Sequence, residues 1–322
     1  MMSSLKTIAT HNGAFHADEA LAVYMLRSIE TYRNAKVVRS RDPQLLDSCD
    51  IVVDVGGKYD GVKYFDHHQR EFSDTFSSNY KTRLSSAGLV YKHFGKEVIS
   101  SVLAGKQLSQ EDLDILYEKI YTSFIEGLDA NDNGISPFPA DLTPTFKAAM
   151  SLPEMVSTYI PSWNSEKQDE ESFLECFHKA SEFIGNWFVR TVNHYASSWL
   201  PAKSLAREAV LKAKDSSILI MDKFFPWKSH LYDIEKELNI EGQFKYAIYS
   251  DGKGWRVQAV AIDPTSFTSR LPLPEPWRGV RDEKLSELTG ISNCIFVHAS
   301  GFIGGNATFE GALEMAKRAL AF

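Results

Sequence analysis

Residues 50–70 read DIVVDVGGKYDGVKYFDHHQR. Two apolar runs, Ile51 to Val53 and Val62 to Phe65, have the length and β-branched or aromatic character of buried strands. Each run ends on a carboxylate, Asp54 and Asp66, and the second is followed at once by His67 and His68. Carboxylate oxygen and imidazole nitrogen delivered together at a strand end suit a hard or borderline divalent metal such as Mn²⁺, Mg²⁺ or Zn²⁺. An isolated Asp-His-His is as often a surface turn, so the chemistry depends on what else converges on it.

Upstream, Leu5 to Ala9 reads as a first strand running into His11-Asn12-Gly13-Ala14-Phe15-His16-Ala17-Asp18-Glu19. A helix is expected from about Asp18 to Ile29, with Leu21, Met25 and Ile29 on one face and acidic residues in its first turn. His11, His16 and Asp18 then lie in a strand-to-helix loop, where open α/β sheets keep their ligands. Asp18 would equally make a good helix cap. Ala35 to Val38 reads as a second strand, Asp42 to Asp47 as a short helix, and Ile51 to Val53 as a third strand. This strand and helix alternation predicts a parallel sheet with helices on its faces.

Downstream, Ser85-Ser86-Ala87-Gly88 opens a helix through Phe94, placing Ser86 and free amides at a helix N-terminus suited to a phosphate or simply to a serine cap. Ser109 and Asp112 resemble a capping box before a long helix that ends near Asp129-Ala130-Asn131-Asp132-Asn133-Gly134. Asp129 and Asp132 are both candidates to complete a metal shell. Five prolines, Pro137, Pro139, Pro144, Pro153 and Pro161, make residues 135–164 a looped excursion. An amphipathic helix over about 169–200 is expected to link a first domain, 1–168, to a second, 201–322. In the second domain, Ser217 to Met221, Phe244 to Tyr249 and Trp255 to Ala261 read as strands, the last two joined as a hairpin. Arg270, Trp277 and Arg278 sit on a proline-stiffened connector able to grip phosphate and stack a base, or to be pinned to the core. Cys294 to Val297 reads as a strand leading through His298 and Gly304-Gly305-Asn306 into a last helix, so the glycines would bring backbone amides close to a ligand.

The 322 residues, 43% hydrophobic and 24% charged, suit one large or two medium globular domains. No apolar run approaches the ~20 residues of a membrane span, and the start, MMSSLKTIATHNG, has neither a signal-peptide core nor an arginine-rich transit helix. A soluble, intracellular protein is expected. Cys49, Cys176 and Cys294 form no CxxC pair, which argues against a disulfide framework or a cysteine-ligated zinc. A net charge of −7 is opposite to the footprint of a protein that coats nucleic acid through general electrostatics. Any phosphate must therefore be met locally.

In order, His11 to Asp18, Asp54, Asp66-His67-His68 and Asp129 resemble the four motifs of the DHH phosphoesterase superfamily. THNGAFHADEAL, IVVDVGGKYD, YFDHHQR, LSSAGLVY, SRLPLPEPWRG and IFVHASGFIGGN resemble the melanocyte proliferating gene one family through nearly the whole chain. The resemblance implies an α/β fold: a parallel-sheet DHH-type domain joined by a long helix to a smaller α+β domain. It implies a metal-dependent 3′–5′ exonuclease acting on single-stranded RNA in the nucleus and mitochondria, where the sequence without it leads one to expect the cytoplasm or nucleus. It also implies two divalent ions, Mn²⁺ or Mg²⁺, held by His11, His16, Asp18, Asp54, His67 and Asp129, with Asp132 as the alternative to Asp129. His16 stands where the superfamily usually has another aspartate. Asp54, Asp66 and His68 would serve the reaction, and Ser86, Arg278, His298, Gly304, Gly305 and Asn306 would hold substrate. A small-molecule or short-oligonucleotide phosphoesterase would use the same site, a zinc hydrolase would draw on His11, His16 and His67, and a non-catalytic RNA-binding protein would need none of it.

Overall fold

A computed structural model describes residues 5–139, 141–142, 146 and 150–322; Pro144, one of the prolines that break up 135–164, lies outside them. The chain divides into two compact units, 1–196 and 197–322.

The first unit runs β1 (Thr7–Thr10), α1 (Ala17–Ser28), β2 (Lys36–Arg39), α2 (Pro43–Ser48), β3 (Ile51–Val53), β4 (Tyr64–Phe65), α3 (Ser86–Val102), α4 (Gln110–Ile120), a π turn (Tyr121–Ile125), α5 (Glu126–Asp132), α6 (Leu152–Ser157) and α7 (Glu170–His194). The strands form one sheet in the order β2-β1-β3-β4, and every pairing is parallel. The expected parallel sheet with helical cover is present. Leu46 of α2 packs with Ala9, Val52 and Tyr64 on one face, and α1 and α3 pack on each other and against β3 and β4.

β4 is shorter than the apolar run from Val62 because Asp60 Oδ1 accepts the backbone N–H groups of Val62, Lys63 and Tyr64 at 2.9, 2.8 and 2.9 Å. A side chain that takes up these donors holds the backbone in a turn until Tyr64. The helix begun by Ser109, whose Oγ accepts from Asp112 N, is interrupted by the π turn before α5. Such insertions recur near functional sites, and here the turn precedes the two aspartates of α5.

α7, the helix expected as a linker, packs on α1. Ser181 Oγ donates to Ala20 O at 2.7 Å, and a Cβ at Gly185 would lie 2.1 Å from the Tyr24 ring. Gly185→Ala must displace that ring, so it should destabilise the first unit by roughly 1–3 kcal/mol. Thermal unfolding measured alongside Asn186→Gly and Asn186→Ala, at an exposed position of the same helix, would separate this overpacking from a change in helix propensity.

The second unit contains α8 (Leu200–Lys212), β5 (Ile218–Met221), α9 (Lys228–Leu238), β6 (Tyr246–Ser250), β7 (Trp255–Ala259), α10 (Asp282–Thr289), β8 (Cys294–Val297), β9 (Ile303–Asn306) and α11 (Phe309–Ala321). Its sheet is mixed, in the order β5-β6-β7-β9-β8. Leu219, Ala247 and Tyr249 pack under α8 and α9, while Ile248, Val257 and Val297 pack under α10 and α11. Gly304 and Gly305, expected in a strand-to-helix loop, are instead inside β9 and pair with β7 and β8. Close packing against the neighbouring strands favours glycine there: a Cβ on Gly304 would lie 3.1 Å from Phe296 O, and one on Gly305 3.3 Å from Trp255 O.

Candidate metal centre

The carboxyl ends of three parallel strands deliver the site. His11 follows β1, Asp54 follows β3, and Asp66, His67 and His68 follow β4. The N-terminus of α1 adds His16, Asp18 and Glu19, and the last residue of α5 is Asp132. Asp54 takes up φ +56°, a left-handed conformation that Asp and Asn adopt more readily than other non-glycine residues. That turn ends the strand and brings the carboxylate into the centre of the group.

Asp54 is the hub. Its Oδ2 lies 3.4 Å from His11 Nε2, and its Oδ1 lies 3.5 Å from both His67 Nε2 and His68 Nδ1. Ser86 Oγ donates to Asp54 Oδ1 at 3.0 Å. His11 Nε2 also meets Glu19 Oε1 at 3.1 Å, and His67 Nε2 meets Asp132 Oδ2 at 3.0 Å. Among the described residues, three groups have ligand atoms close enough to share an ion: His11, His16, Glu19 and Asp54; Asp54, His67 and His68; and His16, Asp18 and Asp132. Asp54 joins the first two and His16 joins the first and third.

Burial and charge make this arrangement fit cations. Both Asp18 oxygens and both His67 nitrogens are buried without a hydrogen bond; the one short contact, His67 Nε2 to Asp132 Oδ2, is an ion pair without hydrogen-bond geometry. Buried polar atoms left this way call for a partner. Burial, with Asp54, Asp132 and Glu19 close by, pushes the Asp18 carboxyl well above its ordinary range. Such crowding of carboxylates is relieved by a bound cation. Mixed oxygen and imidazole donors suit divalent ions of the Mn²⁺, Mg²⁺ or Zn²⁺ kind.

In the metal-free protein, burial disfavours a charged His11, but Asp54 and Glu19 outweigh it and raise the imidazole to about 10. Burial is likewise outweighed at His67, where Asp132 and Asp54 raise the imidazole to about 9. Burial also opposes ionisation of Asp54, yet His11, His67 and His68 hold it well below the carboxylate range. Ions must therefore displace protons from both histidines, and from Asp18 where it holds one, so Mn²⁺ binding should release roughly two or more protons near pH 7 and tighten as pH rises. Calorimetry in buffers of different ionisation enthalpy measures this directly; a heat independent of the buffer would contradict it.

Asp66 supports rather than joins the centre. Its Oδ2 accepts from Gly57 N at 2.6 Å, and its Oδ1 accepts from His68 N at 3.1 Å and faces His68 Nδ1 at 2.8 Å. This holds the His68 ring in a fixed orientation with 62% of its side chain exposed. Around the loop, Arg39 Nε donates to His11 O and Nη2 to Gly13 O, and Glu19 accepts from His16 N at 2.8 Å.

The structure redistributes several expected roles. His16, not Asp18, caps α1. Asp132 stands with the cluster, whereas Asp129 Oδ1 accepts from Ser85 N, Ser85 Oγ and Gly88 N. The expected phosphate site at the start of α3 is thus filled by the protein's own carboxylate, and Ser86 spends its hydroxyl on Asp54. In the second unit, Arg270 pairs with buried Glu235 through both guanidinium nitrogens at 2.7 Å. Arg278 Nε donates to Leu273 O, and Trp277 is buried near Phe322. Asn306 is fully buried, donating to Ser292 O and accepting from Thr308 N. These four expected substrate groups are engaged within their own unit, while His298 remains exposed against Ser300. The three cysteines are free. Glu19 was missed as a candidate ligand because an acid in a first helical turn already has a helix-dipole explanation; its spacing three residues after His16 was the available signal.

No helix among the described residues is long and apolar enough to cross a membrane. A family model described as "Uncharacterised protein family (UPF0160)" and labelled as MYG1 exonuclease matches residues 7–320. A MYG1 protein of Schizosaccharomyces pombe is 75% identical over 321 residues, covering 100% of this chain and 99% of the relative. The MYG1 exonuclease of Homo sapiens is 47% identical over 328 residues, covering 98% and 85%. Among solved structures, RecJ of Thermus thermophilus in complex with Mn²⁺ aligns with 98% of this chain at 11% identity and a TM-score of 0.24, and this chain spans about half, 52%, of that one. Over its length, then, the chain belongs to the MYG1 exonuclease family.

Proposed function

We propose that this chain is a metal-dependent phosphodiesterase that shortens single-stranded RNA from its 3′ end. One observation carries the reading: Asp54 offers one oxygen toward His11 and the other toward His67 and His68, so a single carboxylate joins two donor clusters. The name exonuclease carried by the mammalian relatives supports the reaction class, and the choice of RNA and of the 3′ end rests on the family resemblance.

His11, Asp18, Asp54, His67 and Asp132 would hold two divalent ions, with His16 and Glu19 beside them. Mn²⁺ or Mg²⁺ bound there supplies positive charge to the phosphodiester oxygens and lowers the pKa of a water toward neutrality. The residues do the rest. Asp54, anchored by Ser86, fixes the spacing of the two clusters. His68, oriented by Asp66 and exposed, is placed to hold a proton toward the phosphate or the leaving oxygen.

The test is Mn²⁺-dependent degradation of 3′-labelled and 5′-labelled single-stranded RNA. Mononucleotides released at once from the 3′ label, with a ladder shrinking on the 5′ label, support the reading. Hydrolysis of dinucleotides or pyrophosphate with intact longer RNA would move the same site to small substrates, and silence on every phosphoester would end the catalytic reading.

A further inference from the structure

β5 is an outer strand of the second unit's sheet, paired with β6 on one side only. Natural sheets blunt such an edge with proline, charge or a bulge, because its free N–H and C=O groups recruit another strand. β5 carries none of these. It reads Ile-Leu-Ile-Met in unbroken register with β6, and Ile220 leaves 39% of its surface in water. Ser217 O accepts from Tyr246 N toward β6, so alternation turns the N–H and C=O of Ile218 and Ile220 to the outer edge. At Ile218 the Ser216 hydroxyl stands in for a missing strand, accepting the N–H at 2.9 Å and donating to the C=O at 3.2 Å. Among the described residues no side chain does the same for Ile220.

A groove of about 400 Å³ runs beside this edge, between Ile220 and the Leu205, Glu208, Ala209 and Lys212 stripe of α8. Leu205 is 42% exposed, and Glu208 and Lys212 pair with each other at 2.7 Å. A strand added to β5 would therefore lay alternate side chains against α8, the arrangement by which an edge strand beside a helix captures an extended segment.

The segment that fits is β5 itself. An antiparallel neighbour must match outward residues with outward residues, so a two-fold axis relating two copies passes through a residue, not between two. Centred on Ile218 or on Ile220, the pairing sets an isoleucine against Ser216 or Asp222. Centred on Leu219, it sets Ile218 against Ile220 of the partner subunit and, at the two ends, Asp215 against Lys223 of the partner subunit. Asp215 and Lys223 are both exposed, and the two-fold makes each match twice. We propose that two copies of this chain associate through β5, as antiparallel strands centred on Leu219, joining their five-stranded sheets into one. The association is independent of the reaction proposed above.

Sedimentation velocity and light scattering on the full chain, across a dilution series, test it. The wild type should reach a mass near twice 36.3 kDa and dissociate on dilution. Ile220→Lys puts two ammonium groups on the shared edge and should weaken association at least tenfold; the position is exposed, so circular dichroism should show the variant folded. Asp215→Lys and Lys223→Asp each replace two attractive cross-strand pairs by two repulsive ones and should each weaken association roughly tenfold. The double variant Asp215→Lys with Lys223→Asp restores opposite charges and should return most of the lost affinity. A wild type that stays monomeric at the highest concentration, a dimer that survives Ile220→Lys, or a double variant no tighter than the single ones would overturn the proposal.

Discussion

Replacing Asp54 by asparagine should abolish phosphodiester hydrolysis, with a fall of roughly a thousandfold or more, because it removes the negative charge shared by both donor clusters. Asparagine is the informative substitution. It tolerates the left-handed backbone at φ +56°, whereas alanine there adds strain of about 1 kcal/mol and confuses loss of ligand with loss of fold. The second readout is stability. Mn²⁺ at a hundred times its dissociation constant should stabilise the wild type by about 2.7 kcal/mol, seen as a rise in melting temperature that EDTA reverses. Asp54→Asn should melt cooperatively in EDTA and show little of that rise. A variant that keeps both the hydrolysis and the Mn²⁺-dependent rise would remove Asp54 from the centre.

The same ion pairs set the pH behaviour of the metal-free protein. His11 and His67 have raised values, to about 10 and about 9, so the stability they contribute is fully present below their unfolded value near 6.5. It is lost as pH rises through 9 to 10. Metal binding runs the opposite way, because ions compete with those protons and gain as pH rises.

The strand-end placement of Asp54 and of Asp66-His67-His68 was legible because short apolar runs ending on charge have few other readings in a parallel sheet. The loop from His11 to His16 was legible for the same reason, although the helix begins one residue earlier than expected and takes Asp18 into its first turn. Other features depend on contacts that sequence spacing does not encode. Asp129 and Asp132 lie three residues apart, and only the packing of α5 against α3 decides which one faces the histidines. Gly304 and Gly305 look like a ligand loop by composition, yet they lie inside β9, where the backbone of β8 and of β7, far away in sequence, presses close. Arg270 looks available for phosphate until Glu235, far away in sequence, is found paired with it.

Asp129 and Asp132 should separate stability from metal binding. Asp129 is fully buried, and beside its three bonds from Ser85 and Gly88 it accepts a fourth from Tyr121 Oη at 3.0 Å. Tyr121 is stacked on Phe76 with centroids 3.7 Å apart, and Gly88 leaves the space the carboxylate fills, since a Cβ there would lie 2.4 Å from both oxygens. Asp129→Ala strands two amides and two hydroxyls around a new cavity and should cost about 3–4 kcal/mol, or roughly 10 °C in the melting of the first unit. Asp129→Asn keeps one acceptor oxygen and should cost less. Burial pushes the Asp129 carboxyl up to about 7 against the hydrogen bonds it accepts, so the wild type's advantage over asparagine should shrink as pH rises from 4 through 7. Asp132→Asn should do the reverse of Asp129→Ala: little change in melting, but a ten- to hundredfold loss of Mn²⁺ affinity, because it removes the carboxylate 3.0 Å from His67 Nε2. Metal titrations and melting curves on the two variants decide it, and the opposite pattern would return Asp129 to the metal shell and make Asp132 a helix end.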